Sequence, residues 1–511
     1  MSLLLRRRAL LAKLKKFLRK IVGIPPVSCP ACAEESAVDY KICGNSIQDG
    51  TPTPDTPVEV QSVGEKTKNL FNIGTINDYI YYSSSNIKIE DNSLSLQHVA
   101  SSVNYCYKKD THYPSGSYAY SYDTVSGAEI QVLIRCYDNN GNTLTNSDVS
   151  IQGGEYVDYY KGWIKTWNLN KIVVPDNVAY WIIGFRTQGT ADVWNTITNI
   201  QVELGDTATP YEPYGKYKIP VVSSGKNLFD IDTYVKNSNT YNGRYIDISQ
   251  YGVGTKLTIS TTDKHIFKIA DTAGGTSLLQ NGNGNTNTFS FTLLQKYKDC
   301  GRLYIISNKT YTAATKEDLS NQNAQLEYGD TATDFEPYQE PITTNIYLTE
   351  PLRKAGTVAD CVDFANSKVV RNIKKVELAE ANYTYAWNNT NGVSFANILD
   401  GNYFINKNAI SNRINQFDQE TPKPTSLWVG VNNAYIYWIK ILDYLGFTTV
   451  EEFNTWLAEN PTYVYYATKT PVEESIEFPQ LPTLKGTTVY TIGTTIQPSN
   501  MEVTYYSKES E

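Results

Sequence analysis

A tandem duplication limits the fold of this chain more than any other feature of its sequence. The stretch QVELGDTATPYEPY at positions 201–214 recurs at positions 325–338 as QLEYGDTATDFEPY. Each copy closes a segment that begins with a matching opener, KNLFN at 68–72 and KNLFD at 226–230. A unit of roughly 110 to 150 residues exceeds the 20 to 50 residues of a solenoid repeat, so each copy should be a domain with its own core. Such an arrangement favours modular binding over a single active site.

The composition predicts a mainly β protein. The chain has 511 residues, enough for three or four domains, and it contains 40 Tyr and 8 Trp against 3 His and 2 Met. Aromatic and β-branched residues between polar, glycine-containing turns favour sheets over helices. We predict tandem antiparallel β-sandwich modules of the jelly-roll type at 68–214 and 215–338, followed by a C-terminal β-rich domain at 339–511.

Residues 1–23 form a separate basic segment. They contain eight Lys and Arg residues and no acidic residue, so the net charge of -8 for the whole chain leaves -16 for the remainder. Apolar residues recur near helical spacing until Gly23, which predicts an amphipathic helix that packs on a partner subunit, packs on its own copies or lies on a membrane surface. No apolar stretch has the roughly 18 residues of a transmembrane helix, and lysines interrupt any secretory signal. The acidic remainder disfavours nucleic-acid binding.

The seven cysteines are scattered along the chain and predict no disulfide framework. Cys29 and Cys32 have the CxxC spacing of zinc ligands, with Cys43 as a candidate third ligand, but no second pair and no histidine lie near. Reduced thiols in a linker are the alternative that this spacing favours. The Pro-, Gly- and Thr-rich stretch 44–57 predicts a semi-extended spacer within a leader at 24–67.

Two segments of the first module predict strands. In 178–186, one face would carry Trp181, Ile183 and Phe185, and the other Tyr180, Ile182 and Arg186. Residues 131–137 run into DNNGN at 138–142, which predicts a hairpin turn, with calcium ligation as a weaker alternative. The NGNGN stretch at 281–285 predicts a surface loop, because it lacks the Lys-Ser/Thr ending of a phosphate-binding loop.

The C-terminal region predicts one clear helix among strands. Thr449 and Glu452 have capping-box spacing at the start of a helix over 449–459. Strands are predicted at 435–442, 463–467, 487–492 and 501–506.

The stop signature GDTATPYEPY, the NLF opener and the leader GNSIQDGTPTPDTPVEVQSVG together resemble minor tail or tail-fibre proteins of phages and prophages of Gram-positive gut bacteria. The C-terminal stretches TNIYLTEPLRKAGTVADCVDF, LGFTTVEEFNTWLAENPTYVYY and PQLPTLKGTTVY add to the likeness, which extends from about residue 44 to the end. The resemblance implies a virion location and jelly-roll modules like carbohydrate-binding domains. It implies no catalytic residues.

Attachment to the particle is expected through the N-terminal segment. A short amphipathic helix is marginal alone, so the apolar stripe of residues 1–22 needs a partner. We therefore predict contact with other virion proteins and a homo-oligomer, with a homotrimer as the expected state.

A polysaccharide of the host cell surface is the ligand that the sequence favours. Aromatic rings stack on the apolar faces of sugars, Asn, Asp and Arg side chains bond the hydroxyls, and a duplicated module raises avidity. The candidate residues are Trp163, Trp167, Tyr180 and Arg186. Tyr and Trp are also ordinary sheet residues, so most of the 40 tyrosines should be structural.

No catalytic chemistry, cofactor or metal ion is predicted. His98, His112 and His265 belong to no nucleophile or metalloprotease motif. A glycan depolymerase needs only two suitably spaced carboxylates, and 53 acidic residues can supply a pair, so a glycan-degrading tail enzyme is one alternative. A purely architectural virion protein is the other.

The two signatures should also end their strands in the same way. Pro213 and Pro337 lack the N–H group that a strand ladder needs, so we predict that the last strand of each module ends there.

Overall fold

A computed structural model describes residues 40–503 and 507–508, apart from short internal segments. Those segments are 82–85, 91, 99–103, 109–110, 127–129, 146–147, 150, 152–153, 158–162, 167–170, 188–191, 237, 240–242, 272–275, 282–285, 309–310, 379–384, 390–391, 397–407, 415–426, 433–434, 442–446, 448 and 497–499. The predicted N-terminal helix, the Cys29 and Cys32 pair and most of the 281–285 loop therefore lie outside the described residues.

Antiparallel strands dominate this part of the chain, which confirms the prediction of a mainly β protein. Up to residue 204 the strands are β1 (Tyr40–Cys43), β2 (Ser46–Gln48), β3 (Val60–Ser62), β4 (Glu65–Lys66), β5 (Tyr79–Tyr81), β6 (Ile87–Glu90), β7 (Ser93–Gln97), β8 (Asn104–Lys108), β9 (Gly116–Ser126), β10 (Ile130–Tyr137), β11 (Gly154–Val157), β12 (Trp163–Thr166), β13 (Lys171–Val174), β14 (Tyr180–Thr187) and β15 (Trp194–Leu204). A 3-10 turn covers Ile76–Asp78.

The next elements, up to residue 328, are β16 (Tyr217–Gly225), α1 (Ile231–Lys236), β17 (Ser238–Asn239), β18 (Gly243–Arg244), β19 (Ile246–Asp247), β20 (Lys256–Ile269), β21 (Leu279–Gln280), β22 (Thr286–Thr292), α2 (Gln295–Cys300), β23 (Arg302–Ser307), α3 (Lys316–Asn321) and β24 (Gln325–Tyr328). The remaining elements are β25 (Ile342–Leu348), β26 (Lys354–Ala355), β27 (Val358–Ala359), β28 (Cys361–Asp363), β29 (Lys368–Glu377), β30 (Tyr385–Asn389), β31 (Gly392–Ala396), β32 (Ile410–Ser411), β33 (Leu427–Asn432), β34 (Tyr435–Ile441), α4 (Val450–Glu459), β35 (Tyr463–Ser475), β36 (Gly486–Ile492), β37 (Asn500–Val503) and β38 (Ser507–Lys508).

The first module is a sandwich of two sheets. One sheet has the order β11-β12-β10-β14-β8-β5 and the other has the order β13-β9-β15-β7-β6. Residues of both sheets meet in one core, to which β14 contributes Trp181, Ile183 and Phe185. Ile182 and Tyr180 belong to a second cluster on the opposite face of the same sheet. The predicted alternation of this strand is therefore confirmed.

The second module is built around the long strand β20. Its first half pairs with both β22 and β24, and its second half pairs with β23, with an irregularity between Ser260 and His265. The core of the module includes Phe229, Phe267 and Leu326. It is therefore a separate hydrophobic unit, as a domain-sized repeat requires.

Both modules use one scheme of strand pairing. In the first module, β9 pairs with β13 and β15, while β10 pairs with β14, and β14 pairs with β8. In the second module, the first half of β20 pairs with β22 and β24, while its second half pairs with β23, and β23 pairs with β19. The strand β20 thus takes the places of both β9 and β10, which supports a duplication of one ancestral unit.

The opener and the stop signature of each module form a hydrogen-bond network around a buried Gln and Glu pair, and we call this network the clasp. In the first module the clasp consists of Asn69, Gln201, Glu203, Thr209 and Glu212. Asn69 joins the opener to the last strand, because its Oδ1 accepts from Val202 N at 3.2 Å and its Nδ2 donates to Ile200 O at 3.0 Å. Gln201 Nε2 donates to Glu203 Oε1 at 2.9 Å, and Gln201 Oε1 accepts from Glu212 N at 2.7 Å. Thr209 Oγ1 donates to Glu203 Oε2 at 2.8 Å.

The second module repeats the clasp with Asn227, Gln325, Glu327, Thr333 and Glu336. Gln325 Nε2 donates to Glu327 Oε1 at 2.9 Å, and Gln325 Oε1 accepts from Glu336 N at 2.9 Å. Asn227 Oδ1 accepts from Leu326 N at 3.2 Å. Buried polar groups need such partners, so closure of the module explains the repeated Gln, Glu and Thr of the signature without a ligand.

The prediction that the last strands end at Pro213 and Pro337 is wrong. β15 ends at Leu204 and β24 ends at Tyr328. The next residues, Gly205 and Gly329, have φ values of 124° and 117°, which glycine adopts far more readily than other residues. The chain therefore leaves the sheet at the glycine, and the clasp holds the segment that carries the proline.

A third unit, which we call the hub, is assembled from leader strands, C-terminal strands and β16. The sequence placed β16 in the second module at 215–338, but its partners are hub strands, so the second module begins at the opener at 226. The two sheets of the hub have the orders β32-β35-β29-β28-β1-β37 and β25-β16-β36-β38, with β4 also paired to β16. Their shared core includes Ile42, Ile219, Leu348 and Tyr490. The hub thus combines segments that are hundreds of residues apart in the sequence.

Both modules are insertions between neighbouring strands of the hub. β16 pairs with β4 and with β25, while the first module lies between β4 and β16 in the chain and the second lies between β16 and β25. The two ends of the first module meet, since Thr67 N donates to Lys216 O at 3.0 Å. Adjacent ends are what allow a domain to be inserted without disturbing its host.

The leader differs from the spacer that the sequence predicts. Residues 40–66 supply β1 to β4, and β1 pairs with both β28 and β37 of the hub. Cys43 and Cys361 lie opposite each other on β1 and β28 and form a disulfide. The expectation of unpaired cysteines is therefore wrong for these two, and Cys43 is not a third zinc ligand. Because Cys43 and Cys361 are 318 residues apart, no local sequence pattern predicts that they pair.

Removal of this disulfide should destabilise the hub. We expect the Cys43→Ser/Cys361→Ser variant to lose about 2–5 kcal/mol in free energy of unfolding, because the bond closes a long loop that contains both modules. Hydrogen exchange followed by mass spectrometry of hub peptides would measure this loss. Cys300→Ser is the matched control, since Cys300 is a free thiol in the second module. Equal protection of the hub in the double variant and the wild type would contradict the prediction.

The predicted C-terminal helix is confirmed as α4. Thr449 Oγ1 accepts from Glu452 N at 3.2 Å, and Thr449 N donates to Glu452 Oε2 at 3.1 Å, so the capping box is present. The helix buries Phe453 and Leu457.

The strands that the sequence predicts in the C-terminal region correspond to β34, β35, β36 and β37. A further sheet has the order β30-β31-β34-β33, and its strands lie between β29 and β35 in the chain. No helix of the described residues is both long enough and apolar enough to span a membrane.

Candidate functional site

The outer face of the first module gathers aromatic side chains on the sheet that contains β8, β10, β12 and β14. Successive residues of a strand point to opposite faces, so the residues that do not enter the core collect here. We call this surface the tyrosine face; it consists of Tyr105, Tyr107, Tyr137, Tyr180 and Trp163. They pack on Leu133 and Ile182, which are buried beneath them.

The rings of the tyrosine face form two stacked pairs. Tyr105 and Tyr107 have ring centroids 6.4 Å apart and planes 7° apart, and Tyr137 and Tyr180 have centroids 4.7 Å apart and planes 11° apart. Trp163 lies 5.3 Å from the ring of Tyr107. All four tyrosines are half-buried, so part of each ring is held by packing and part faces solvent. Rings held in this way lose little freedom when they contact a ligand.

Trp163 is the base of the face rather than an exposed ring. Its side chain has 0% exposure, so the expectation that it meets a ligand directly from the surface is wrong. Gly184 on the neighbouring strand makes room for it, because a Cβ there would lie 3.0 Å from Cη2 of Trp163 and 3.0 Å from Cys106 O. The sequence pattern assigned Trp163 to a strand but could not tell that other side chains cover it.

Arg135 places a positive charge in the middle of the tyrosine face. Its Cζ lies 4.3 Å from the Trp163 ring centroid and 5.9 Å from that of Tyr107, within the range of a cation–π interaction. Burial raises the pKa of Tyr107, and the nearby Arg135 only partly offsets this effect. The Tyr107 hydroxyl therefore stays neutral at physiological pH, where it can both donate and accept a hydrogen bond.

Tyr180 and Arg186 lie on the same face of β14, as the sequence predicts. The ring of exposed His112 lies 4.3 Å from that of Tyr180, and burial raises the pKa of the Tyr180 hydroxyl. Arg186 Nε donates to Gln131 Oε1 at 2.7 Å. The fourth candidate, Trp167, lies outside the described residues.

The sequence pattern did not point to three members of this surface, Tyr105, Tyr107 and Tyr137, or to Arg135 beside them. Tyr105 and Tyr107 alternate with buried Cys106, a period-two signal that could have placed both rings on one face. Arg135 and Tyr137 follow the same alternation in β10, but the pattern does not say which face stays accessible.

The second module has a smaller version of this surface. Arg302 Cζ lies 5.5 Å from the Tyr245 ring centroid, and the rings of Tyr245 and Tyr304 are 6.0 Å apart. Tyr304 is fully buried and Tyr245 is half-buried. A cation over aromatic rings therefore recurs on the matching sheet of each module, with fewer exposed rings in the second.

The turn at 138–142 has the hairpin geometry that the sequence predicts. Asp138 N donates to Asn142 O at 3.0 Å, and Asp138 Oδ1 accepts from Asn140 N at 2.9 Å and from Asn142 N at 2.7 Å. The bonds from Asn142 lower the pKa of Asp138. The side-chain oxygens are thus used by the turn itself. Within the described ranges, no three His, Cys, Asp or Glu side chains are grouped as a metal site.

Comparison with known proteins adds no assignment, since no known family model matches the chain and no curated protein matches it either.

Proposed function

We propose that the protein is a virion component, in a tail fibre or baseplate, and that it binds a polysaccharide of the host surface through the tyrosine face. The observation that carries the binding part is the set of four half-buried tyrosine rings on one face, together with Arg135, whose guanidinium lies beside Tyr107 and over Trp163. Such rings offer flat apolar surface for the C–H faces of sugars, and the hydroxyl and guanidinium groups beside them bond to sugar hydroxyls. Neither role requires a reaction, so the proposal is one of binding without catalysis.

Repetition supports the same proposal. The cation and aromatic rings recur on the second module, and both modules project from one hub. A second contact from the same chain is intramolecular, so weak binding by each module adds up to stronger attachment. Joining several chains through residues 1–22, as a homotrimer would, raises the gain further.

An architectural role is the second candidate, and the clasps favour it. Four residues of each repeated signature serve to close the module, and the hub is built from many strand pairs of its own. A protein that only spaces other components would need these features and not the tyrosine face. If substitutions in the tyrosine face abolish binding to the host surface, the binding role is supported over the architectural one.

The Tyr137→Ala/Tyr180→Ala variant should bind host cells about tenfold more weakly than the wild type, a difference of about 1.4 kcal/mol. The two rings form one stacked pair, and their removal takes away two of the four tyrosine rings of the face. Cell adhesion and a glycan array would measure the loss. Tyr311→Ala is the matched control, because Tyr311 is 76% exposed and belongs to the second module, outside either aromatic surface.

Unchanged adhesion of the double variant would reject the tyrosine face as the binding site and favour the architectural role. Shortening of a host polysaccharide by the purified protein, abolished by one Asp or Glu substitution, would instead support a depolymerase.

A further inference from the structure

A cleft of about 780 Å³ opens in the hub and is lined by side chains of the leader, β16, β29 and β35. Its volume falls within the range of about 300–1,000 Å³ that is usual for sites of small ligands. Its lining residues include none of the tyrosine face and belong to the hub, its leader and β16, so the cleft is separate from the tyrosine face. We propose that it binds a neutral oligosaccharide segment, as a second saccharide site of the chain. This proposal shares with the proposed function the class of ligand, a saccharide, but concerns a different site.

The floor of the cleft is formed by Tyr465 and by Arg353, whose charge is paired with that of Glu350. Arg353 is 5% exposed, its Nη1 lies 2.7 Å from Glu350 Oε2, and its Cζ lies 5.7 Å from the ring centroid of Tyr465. Tyr465 is 8% exposed. Because the guanidinium is paired with Glu350, it does not make the floor a site for an anion. The floor instead supplies a fixed aromatic surface.

The walls add two half-buried rings, Tyr217 and Tyr463. Lys375 Nζ lies 3.7 Å from the ring centroid of Tyr463, which holds the ammonium beside the cleft. Half-buried rings suit a sugar, whose faces are apolar and stack on aromatic side chains.

The rim carries both signs of charge, and this decides the ligand class. Glu59 and Glu65 provide acceptors, whereas Lys66 provides donors, and all three side chains are exposed. A hydroxyl both donates and accepts, so a ligand rich in hydroxyls satisfies both kinds of group. An anion would satisfy only the donors and would be repelled by the carboxylates, while a cation would meet the reverse problem. The mixed rim therefore favours a neutral saccharide.

Titration calorimetry of the full chain with soluble tetrasaccharides tests the proposal. The probes are neutral glucose, galactose and N-acetylglucosamine tetrasaccharides and a tetrasaccharide of uronic acids. We expect the wild type to bind a neutral probe, and Tyr463→Ala to weaken that binding about tenfold. Tyr463→Phe keeps the ring and should lose less. Glu59→Gln should weaken binding without a change in the unfolding midpoint, because Glu59 is exposed.

The outcomes distinguish this site from the tyrosine face. No binding of any neutral probe, binding of the uronic-acid probe alone, or wild-type affinity in both Tyr463→Ala and Glu59→Gln would overturn the cleft. If the Tyr137→Ala/Tyr180→Ala variant loses all binding while the cleft variants keep it, the proposed function stands and the cleft does not. If only the cleft variants lose binding, the cleft is supported and the tyrosine face is rejected.

Discussion

Replacing Trp163 with alanine should lower the free energy of unfolding of the first module by about 3–5 kcal/mol. The indole is fully buried and packs against Tyr107 and Arg135, so its removal leaves a cavity beneath the tyrosine face. Hydrogen exchange of peptides from the first module would measure the loss, with peptides of the second module as an internal reference. Because the modules have separate cores, the second module should keep its protection.

Trp163→Phe is the matched control for this result. The indole Nε1 has no hydrogen-bond partner among the described residues, so phenylalanine keeps an apolar ring and gives up no bond. Its cost should therefore be well below that of Trp163→Ala. Wild-type protection of the first module in Trp163→Ala, together with reduced adhesion, would show instead that the ring acts at the surface.

Replacing Gln201 with leucine should destabilise the first module by about 3 kcal/mol, since two buried partners lose their bonds at about 1–3 kcal/mol each. Those partners are Glu203 and the backbone N–H of Glu212. The loss would free the extended tail from β15 and, with it, the junction to the hub. Hydrogen exchange at residues 201–214 would measure it.

The duplicated clasp provides the control for this prediction. Gln325→Leu removes the equivalent bonds to Glu327 and Glu336 and should destabilise the second module while sparing the first. A response of both modules to either substitution would show that the two clasps are not independent. A response of neither would show that the network contributes little to closure.

By itself the sequence determined the features that depend on neighbouring residues. The repeated signatures predicted two similar modules, the alternation in 178–186 predicted which residues of β14 enter the core, and Thr449 with Glu452 predicted the start of α4. These signals are local, because strand alternation and helix capping act over a few residues.

Only the tertiary structure decided the features that join distant segments. The hub, the insertion of both modules into it, the Cys43–Cys361 disulfide and the cleft all arise from strands that are far apart in the chain, and such pairing leaves no pattern in a short window. The burial of Trp163 belongs to the same class. A period of two separates the faces of a strand, but only the neighbouring strands determine which rings of the outer face are covered and which can meet a ligand.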